Sequence, residues 1–477
     1  MLLAALSKAA RLSSPTKYLL FSSTRRLTSQ LTRRPSRTFF FSTPPPPKPT
    51  PSRILSQTRF FSSAPPPAPP LPILTPKSVG AWLMVSSTLV FAIVVVGGVT
   101  RLTESGLSIT EWRPITGILP PLTHDQWTAE FEKYKATPEF KLLNSSITLD
   151  DFKFIFSMEW GHRLLGRVLG IAFVGPLIYF AARRKISLPL FLNLFGLGTL
   201  IGAQGLLGWY MVQSGLEDAI LTTPGAVPRV SQYRLAAHLG LALALYAGMF
   251  GAGMAAIKDW KFAKGAPWSG VVGKGGKGSV QGVLMNPAVR SFKRNAWALT
   301  GLVFLTALSG AFVAGLDAGL LYNEFPLMGG RLAPPADELF SPDYAKNADK
   351  SDLWWRNIFE NPTTVQFNHR VLATTTYFAT LGLLAQSLRP ALKATLPPLT
   401  HLATKLAFGM ANIQVLLGIS TLLYLVPVPL AAAHQAGSVM LLSAMMHVLV
   451  TLRRPGLAAR VWRKVNLGGA PAKRRKY

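Results

Sequence analysis

The sequence predicts an all-α integral membrane protein, with about eight transmembrane helices in two pseudo-symmetric four-helix bundles. Of its 477 residues, 49% are hydrophobic and only 15% are charged, and the mean hydropathy is +0.29. The apolar residues fall in runs of about 20, the length that an α-helix needs to cross a bilayer. The second half of the chain also repeats short motifs of the first half.

The N-terminal region differs in composition from the rest of the chain. Residues 1–77 contain twelve Lys and Arg but no Asp or Glu, and they are rich in Ser, Thr and Pro. This composition is typical of a mitochondrial transit peptide. The net charge of +30 does not indicate a nucleic-acid partner, because the basic residues lie at the N-terminus, in certain loops and in the tail rather than on one face.

Eight apolar runs are long enough to be membrane spans. In chain order the predicted spans are residues 79–99, 162–182, 188–212, 234–257, 295–316, 369–388, 399–424 and 432–452. The loops alternate in charge: residues 101–161 carry nine acids and six Lys or Arg, whereas residues 258–294 carry one acid and eight Lys or Arg. The positive-inside rule therefore places both termini and the basic loops in the matrix, and the acidic loops toward the intermembrane space.

The spans and loops divide the chain into predicted regions. The predicted regions are a transit peptide (1–62), a Pro-rich linker (63–78), an N-terminal four-helix bundle (79–257), a basic matrix loop (258–294), a C-terminal four-helix bundle (295–452) and a basic matrix tail (453–477).

The internal repeat follows from matched motifs. Residues 204–208 (Gln-Gly-Leu-Leu-Gly) match residues 414–418 (Gln-Val-Leu-Leu-Gly), and residues 104–107 match residues 317–320. His-Arg opens the second and sixth spans, and one further His lies early in the fourth and eighth. Both halves begin on the same side, so the repeats are predicted to be parallel and related by an axis along the membrane normal.

Four histidines recur in this repeat: His162, His238, His369 and His434. An ionisable ring inside a bilayer is costly without a partner, so it is a functional hypothesis by default. The chain has no cysteine, which excludes disulfides and Cys-ligated metal sites. One His from the second helix and one from the fourth helix of each bundle predict two bis-histidine heme sites. The remaining three histidines have no repeat counterpart and are interpreted as non-ligands: His124, His401 and His447.

The halves differ beside these histidines. Glu159 precedes His162 by three residues, whereas the second half has Gln366 at the equivalent position, and Arg101 corresponds to Ala314. A carboxylate suits proton transfer or the stabilisation of positive charge, so the first bundle is predicted to be catalytic and the second to hold a cofactor. The alternative for Glu159 is an acid that complements a helix N-terminus.

Further polar residues are candidates for cofactor binding. Arg163 and Arg370 are predicted partners of heme propionates, with snorkelling to the membrane interface as the alternative. The predicted cofactor-binding set is completed by Arg101, Gln204 and Gln414.

These motifs resemble a known family. Glu-x-x-His-Arg at 159–163, Asn-His-Arg at 368–370 and the His residues of the fourth and eighth spans resemble heme A synthase of the mitochondrial type. The resemblance extends over residues 79–452 and includes segments 98–108, 315–320 and 361–366. It implies an oxidoreductase that converts the C8 methyl of heme o, through a hydroxymethyl intermediate, to the formyl group of heme a for cytochrome c oxidase. Some bacterial members carry a cysteine pair in the first outer loop, which this chain lacks.

The resemblance also implies where the hemes bind. Heme b would lie between His369 and His434, and heme o between His162 and His238 with Glu159 near the reacting methyl. Oxygen would enter either from an iron-bound oxidant, which requires one His to leave, or by attack of water after electrons are withdrawn. The implied partners are ferredoxin, ferredoxin reductase, heme O synthase and inner-membrane lipid, without nucleic acid, and the sequence is compatible with a homo-oligomer.

Two other functions use the same four histidines. A cytochrome-b-type membrane electron carrier needs the two bis-histidine sites but neither Glu159 nor the asymmetry between the halves. A heme transporter is also compatible with duplicated bundles, which suit alternating access.

Overall fold

The computed structural model describes residues 70–468 except 118, 218, 223–226 and 272–278. The predicted transit peptide therefore lies outside the described residues, as do residues 63–69 of the linker and the end of the tail. Eight helices in the described part are long and apolar enough to cross a membrane. We number them α1 (Lys77–Leu102), α2 (Leu149–Ala182), α3 (Leu188–Gly215), α4 (Gln232–Ala263), α5 (Pro287–Gly315), α6 (Pro362–Leu388), α7 (Pro398–Leu423) and α8 (Val428–Thr451).

The long helices form two four-membered rings. In the first, α1 packs on α2 and α4, and α3 packs on the same two helices. In the second, α5 and α7 each pack on α6 and α8 in the same way. The rings meet where α4 contacts α5 and α8, and where α1 contacts α8. The described residues contain isolated β-bridges but no strand, so the predicted fold class is confirmed.

Helix α2 begins earlier than the sequence predicts. Thr148 and Asp151 form a capping box: the Thr148 hydroxyl accepts from the Asp151 amide, and the Asp151 carboxylate accepts from the Thr148 amide. This reciprocal bonding satisfies amides that a helix start leaves unpaired. The helix therefore starts at Leu149, and His162 lies about four turns inside it rather than in its first turn.

The first outer loop folds into a cap over this extension. Short helices at His124–Lys135 and Pro138–Leu142 pack on the first turns of α2. Their shared core is aromatic: the Phe152 ring of α2 stacks on both Phe131 and Tyr134, and Tyr134 and Phe152 are completely buried. Such ring contacts add to the stabilisation from area burial alone. The cap thus holds the loop that follows α1 against α2.

The second outer loop and the basic segments are also partly helical. An eight-residue helix, Leu353–Glu360, leads into α6. The predicted basic loop 258–294 is shorter than expected, because α4 continues to Ala263 and α5 begins at Pro287. The described part of the tail contains the helix Leu457–Leu467.

Candidate heme sites

The C-terminal histidines face each other. The ring centres of His369, on α6, and His434, on α8, are 6.5 Å apart and the ring planes are 85° apart. Bonds from a metal to an imidazole nitrogen are about 2.0–2.1 Å long, which separates two rings on one ion by roughly 6–6.5 Å between centres. The pair therefore fits one metal atom between the rings, as in bis-histidine heme.

Hydrogen bonds orient both of these rings. Ser309 Oγ lies 2.7 Å from His369 Nδ1 and itself donates to the Thr306 carbonyl at 2.8 Å. With its own proton on that carbonyl, the Ser309 oxygen can accept from Nδ1–H, a tautomer that leaves the lone pair of His369 Nε2 open to a metal. At His434, the Gln414 amide nitrogen lies 3.1 Å from Nδ1 and donates to the main-chain carbonyl at 2.9 Å. Metal-binding histidines commonly donate their second ring N–H to an acceptor, as His369 does to Ser309. The Gln414 amide nitrogen can only donate, so its contact with His434 Nδ1 holds the ring in place without accepting such a proton.

The N-terminal histidines lack these anchors. His162 lies on α2 and His238 on α4, the repeat equivalents of the helices that carry His369 and His434. Within the described chain, the Nδ1 atoms of both rings are buried and have no hydrogen-bond partner. Gln204, the repeat equivalent of Gln414, reaches only the main-chain carbonyl of His238, at 3.0 Å. No hydrogen bond from the described residues therefore holds either ring at Nδ1, and a heme between His162 and His238 stays a prediction.

Each of the four rings packs on a glycine of a neighbouring helix. The closeness of each contact is given by the distance from the His Cε1 atom to a Cβ atom built on the glycine. This distance is 2.7 Å for His162 on Gly97, 3.8 Å for His238 on Gly208, 3.4 Å for His369 on Gly310 and 2.8 Å for His434 on Gly418. These glycines allow the close approach of a ring to a helix backbone. Sequence reasoning missed their role, although Gly208 and Gly418 lie in the matched motifs.

Glu159 is part of a buried clamp between α2 and the first outer loop. Its side chain is buried, and one carboxylate oxygen accepts from the Ser108 hydroxyl at 2.7 Å and the Ile109 amide at 2.8 Å. The other oxygen accepts from Arg163 Nη2 at 2.6 Å. Arg163 also donates to the carbonyls of Ile109 and Glu111. The alternative of a helix N-terminal acid is wrong, because α2 begins ten residues before Glu159.

The second half builds the same clamp with a neutral residue. Gln366 donates to the Tyr322 carbonyl at 3.2 Å, and Arg370 donates to the same carbonyl at 2.7 Å and to that of Leu327 at 3.0 Å. Tyr322 stands at the repeat position of Ile109. Both arginines are thus held by loop carbonyls. The pairing of Arg163 and Arg370 with propionates stays a prediction.

Comparison with known proteins identifies the family. The sequence profile of COX15-CtaA, cytochrome oxidase assembly protein, matches residues 80–446. The chain belongs to this family. It is 47% identical over 381 residues to heme A synthase COX15 of Saccharomyces cerevisiae, covering 80% of this chain and 76% of that protein. It is 44% identical to heme A synthase of Nitrosospira multiformis, covering 79% of this chain and 94% of that protein.

A third relative carries an additional module. The heme A synthase-mitochondrial ferredoxin fusion protein of Schizosaccharomyces pombe is 47% identical over 399 residues. The match covers 83% of this chain but 61% of that protein.

In this COX15-CtaA member, Arg101 connects the two bundles. Its guanidinium donates to Asp317 of the second half at 2.9 Å, and Arg229 approaches the same carboxylate at 3.2 Å. Arg101 Nε is buried and unpaired within the described residues. The structure therefore gives Arg101 a cross-bundle ion pair, and its contact with a cofactor stays a prediction.

The cap contains a buried acid that sequence reasoning missed. Glu139 is 4% exposed and accepts from the Tyr134 hydroxyl at 3.0 Å. Burial raises the pKa of the Glu139 carboxyl to about 8, and the Glu159 carboxylate acts in the same direction. Burial likewise raises the pKa of Tyr134. Glu139 is thus largely protonated at neutral pH, unlike an exposed glutamate. Nothing in the local sequence signals this, because its burial depends on cap packing.

Proposed function

We propose that this chain is a heme A synthase, an oxidoreductase that converts the C8 methyl group of heme o to the formyl group of heme a. The family membership supports this proposal, together with relatives of 43–47% identity that bear that name. The observation that carries it is the presence of two histidine pairs in equivalent bundles, of which only one pair is anchored at both Nδ1 positions.

We assign different roles to the two pairs. His369 and His434 hold a resident heme b, whose spacing and anchoring suit a permanent site. When bound, that heme supplies one-electron redox chemistry. His162 and His238 hold the substrate heme o, and their unanchored rings suit a group that must enter and leave. Methyl-to-formyl oxidation is a four-electron change. Its oxygen comes either from dioxygen, which is the oxidant and requires delivered electrons, or from water, which requires an acceptor for the electrons withdrawn. Either route uses an electron-transfer site in the neighbouring bundle.

Glu159 is the proposed catalytic residue of the first bundle. Its carboxylate is fixed in position by Ser108, Ile109 and Arg163, three residues before a substrate ligand. A preorganised charge of this kind stabilises positive charge on a reacting group without reorganisation, or takes a proton from it. The clamp of the second half works without a charge, which supports a chemical rather than a purely structural use of the carboxylate.

The partners and location belong to the same proposal. The fusion of a relative to mitochondrial ferredoxin supports ferredoxin as an electron partner, with ferredoxin reductase behind it and heme O synthase as the supplier of substrate. We place the protein in the mitochondrial inner membrane. The charge distribution supports matrix termini and heme sites toward the intermembrane space. We also propose that the chain is divided into two four-helix bundles, a basic matrix loop between them and a basic matrix tail.

Heme analysis of the full-length protein tests this function. The protein is expressed in cells that make heme o, purified in detergent, and its extracted hemes are separated by chromatography. A heme A synthase yields heme b together with heme o and heme a, whereas matched cells without the chain make no heme a. Heme b alone, without formation of heme a, would instead identify an electron carrier and contradict the proposal.

A further inference from the structure

The two halves differ at the residue that precedes each ring-supporting glycine. In α5 this residue is Ser309, next to Gly310 under the His369 ring. In α1 the repeat equivalent is Val96, next to Gly97 under the His162 ring. Ser309 bonds the Nδ1 of its histidine, whereas valine offers neither a donor nor an acceptor.

The Ser309 hydrogen bond sets both the tautomer and the rotation of His369. The Ser309 hydroxyl is directed to the Thr306 carbonyl, so its lone pair faces Nδ1–H. A bond of this kind raises the basicity of the opposite nitrogen and restrains the ring about its χ2 torsion. The His162 ring has no such restraint, and its Nδ1 is buried and unpaired within the described chain. The His369 ring is therefore held by packing and by a hydrogen bond, whereas among the described residues the His162 ring is held by packing alone.

We propose that Ser309 is a positioning residue that makes His369 a permanent heme ligand, and that Val96 leaves His162 able to release its heme. This inference rests on the proposed assignment of resident and substrate hemes to the two bundles. Its chemical content is that the hydroxyl at this one repeat position prolongs the stay of the heme in the second site, and its absence shortens that in the first.

Reciprocal substitutions of the full-length protein test the proposal. Ser309→Ala removes the hydroxyl, Ser309→Thr keeps it, and Val96→Thr adds one at nearly unchanged volume. The readout is the rate at which each purified protein loses heme to excess apomyoglobin, with heme b and heme o quantified separately. The loss of an orienting partner typically weakens metal binding by about 10–100-fold, so Ser309→Ala should release heme b faster by a factor of that order. Ser309→Thr should behave like the unsubstituted protein, and Val96→Thr should slow the release of heme o.

The outcomes separate this proposal from the proposed function. His369→Ala serves as the reference, since it should remove heme b altogether. If His369→Ala loses heme b but Ser309→Ala releases it at the normal rate, the positioning role is wrong and the site assignment stands. If His369→Ala retains heme b, the assignment of the resident heme itself fails. Normal release of heme o from Val96→Thr would overturn the role given to Val96. Equal melting temperatures confirm that the variants are folded.

Discussion

The two bundles share a frame but differ in how they treat their histidines. Both place two rings against helix glycines, one on the second and one on the fourth helix of the bundle. Among the described residues, only the C-terminal bundle places a hydrogen-bonding partner at the Nδ1 atoms of both rings. A duplicated scaffold therefore presents two histidine pairs at equivalent positions, and a few polar atoms distinguish their surroundings.

The two arginine clamps between the outer loops and α2 or α6 also share a frame and differ in one residue. Arg163 and Arg370 both donate to the carbonyl at equivalent loop positions, Ile109 and Tyr322. The residue one turn earlier assists in both halves, as a carboxylate in one and as an amide in the other. Because the amide suffices to hold the loop, the negative charge of Glu159 is an addition that loop anchoring does not require.

The largest expected effect comes from removing one histidine of each pair. His434→Ala should abolish the b-type absorbance of the purified protein, because it deletes an axial ligand of the resident heme. His162→Ala should retain that absorbance and lose heme a production, because it alters only the substrate site. Reduced-minus-oxidised spectra and chromatography of extracted hemes measure the two quantities. Full b-type absorbance in His434→Ala would remove the distinction between the bundles.

The repeat made the fold and the histidine pairs predictable. Long apolar runs and duplicated His-Arg motifs are local signals, and the eight spans and the chain positions of the histidines followed from them. The early start of α2 could not be predicted from hydropathy, because the capping box at Thr148 lies in a polar segment outside the bilayer run. The clamp at Glu159 and the burial of Glu139 depend on contacts between residues distant in sequence, which periodicity does not encode.

The second-largest effect is expected for Glu159→Gln. This substitution gives the first half the residue that the second half has at the equivalent position, Gln366. The amide oxygen can still accept from Ser108 and Ile109. The ion pair with Arg163 is lost, but Arg163 keeps its bonds to the carbonyls of Ile109 and Glu111, so the loop should stay in place. The loss of charge should lower the rate of heme a formation by about 10²–10⁴, the usual contribution of general acid–base catalysis. The protein should stay loaded with heme and accumulate heme o or its hydroxymethyl derivative.

Gln366→Glu is the matched control for this substitution. It places a carboxylate in the second clamp, beside Arg370, and should leave heme a formation close to normal if the charge matters only at the substrate site. Chromatography of extracted hemes from both variants gives the comparison. Normal heme a from Glu159→Gln would remove the main support for catalysis by the first bundle's carboxylate.

The smallest effect should distinguish two glycines at the same position of the repeat. A Cβ on Gly418 would lie 2.8 Å from His434 Cε1, so Gly418→Ala must displace the ring of a resident ligand. A Cβ on Gly208 would lie 3.8 Å from His238 Cε1, an ordinary contact, so Gly208→Ala should leave that ring in place. Both changes remove a glycine from a helix interior, which favours the helix by about 1 kcal/mol in each case. Helix propensity alone thus predicts equal behaviour, and ring displacement predicts a partial loss of heme b in Gly418→Ala only. The heme b content per protein distinguishes these two explanations, and the melting temperature of each variant shows that it is folded. Equal heme b contents in the two variants would show that close packing on Gly418 does not position His434.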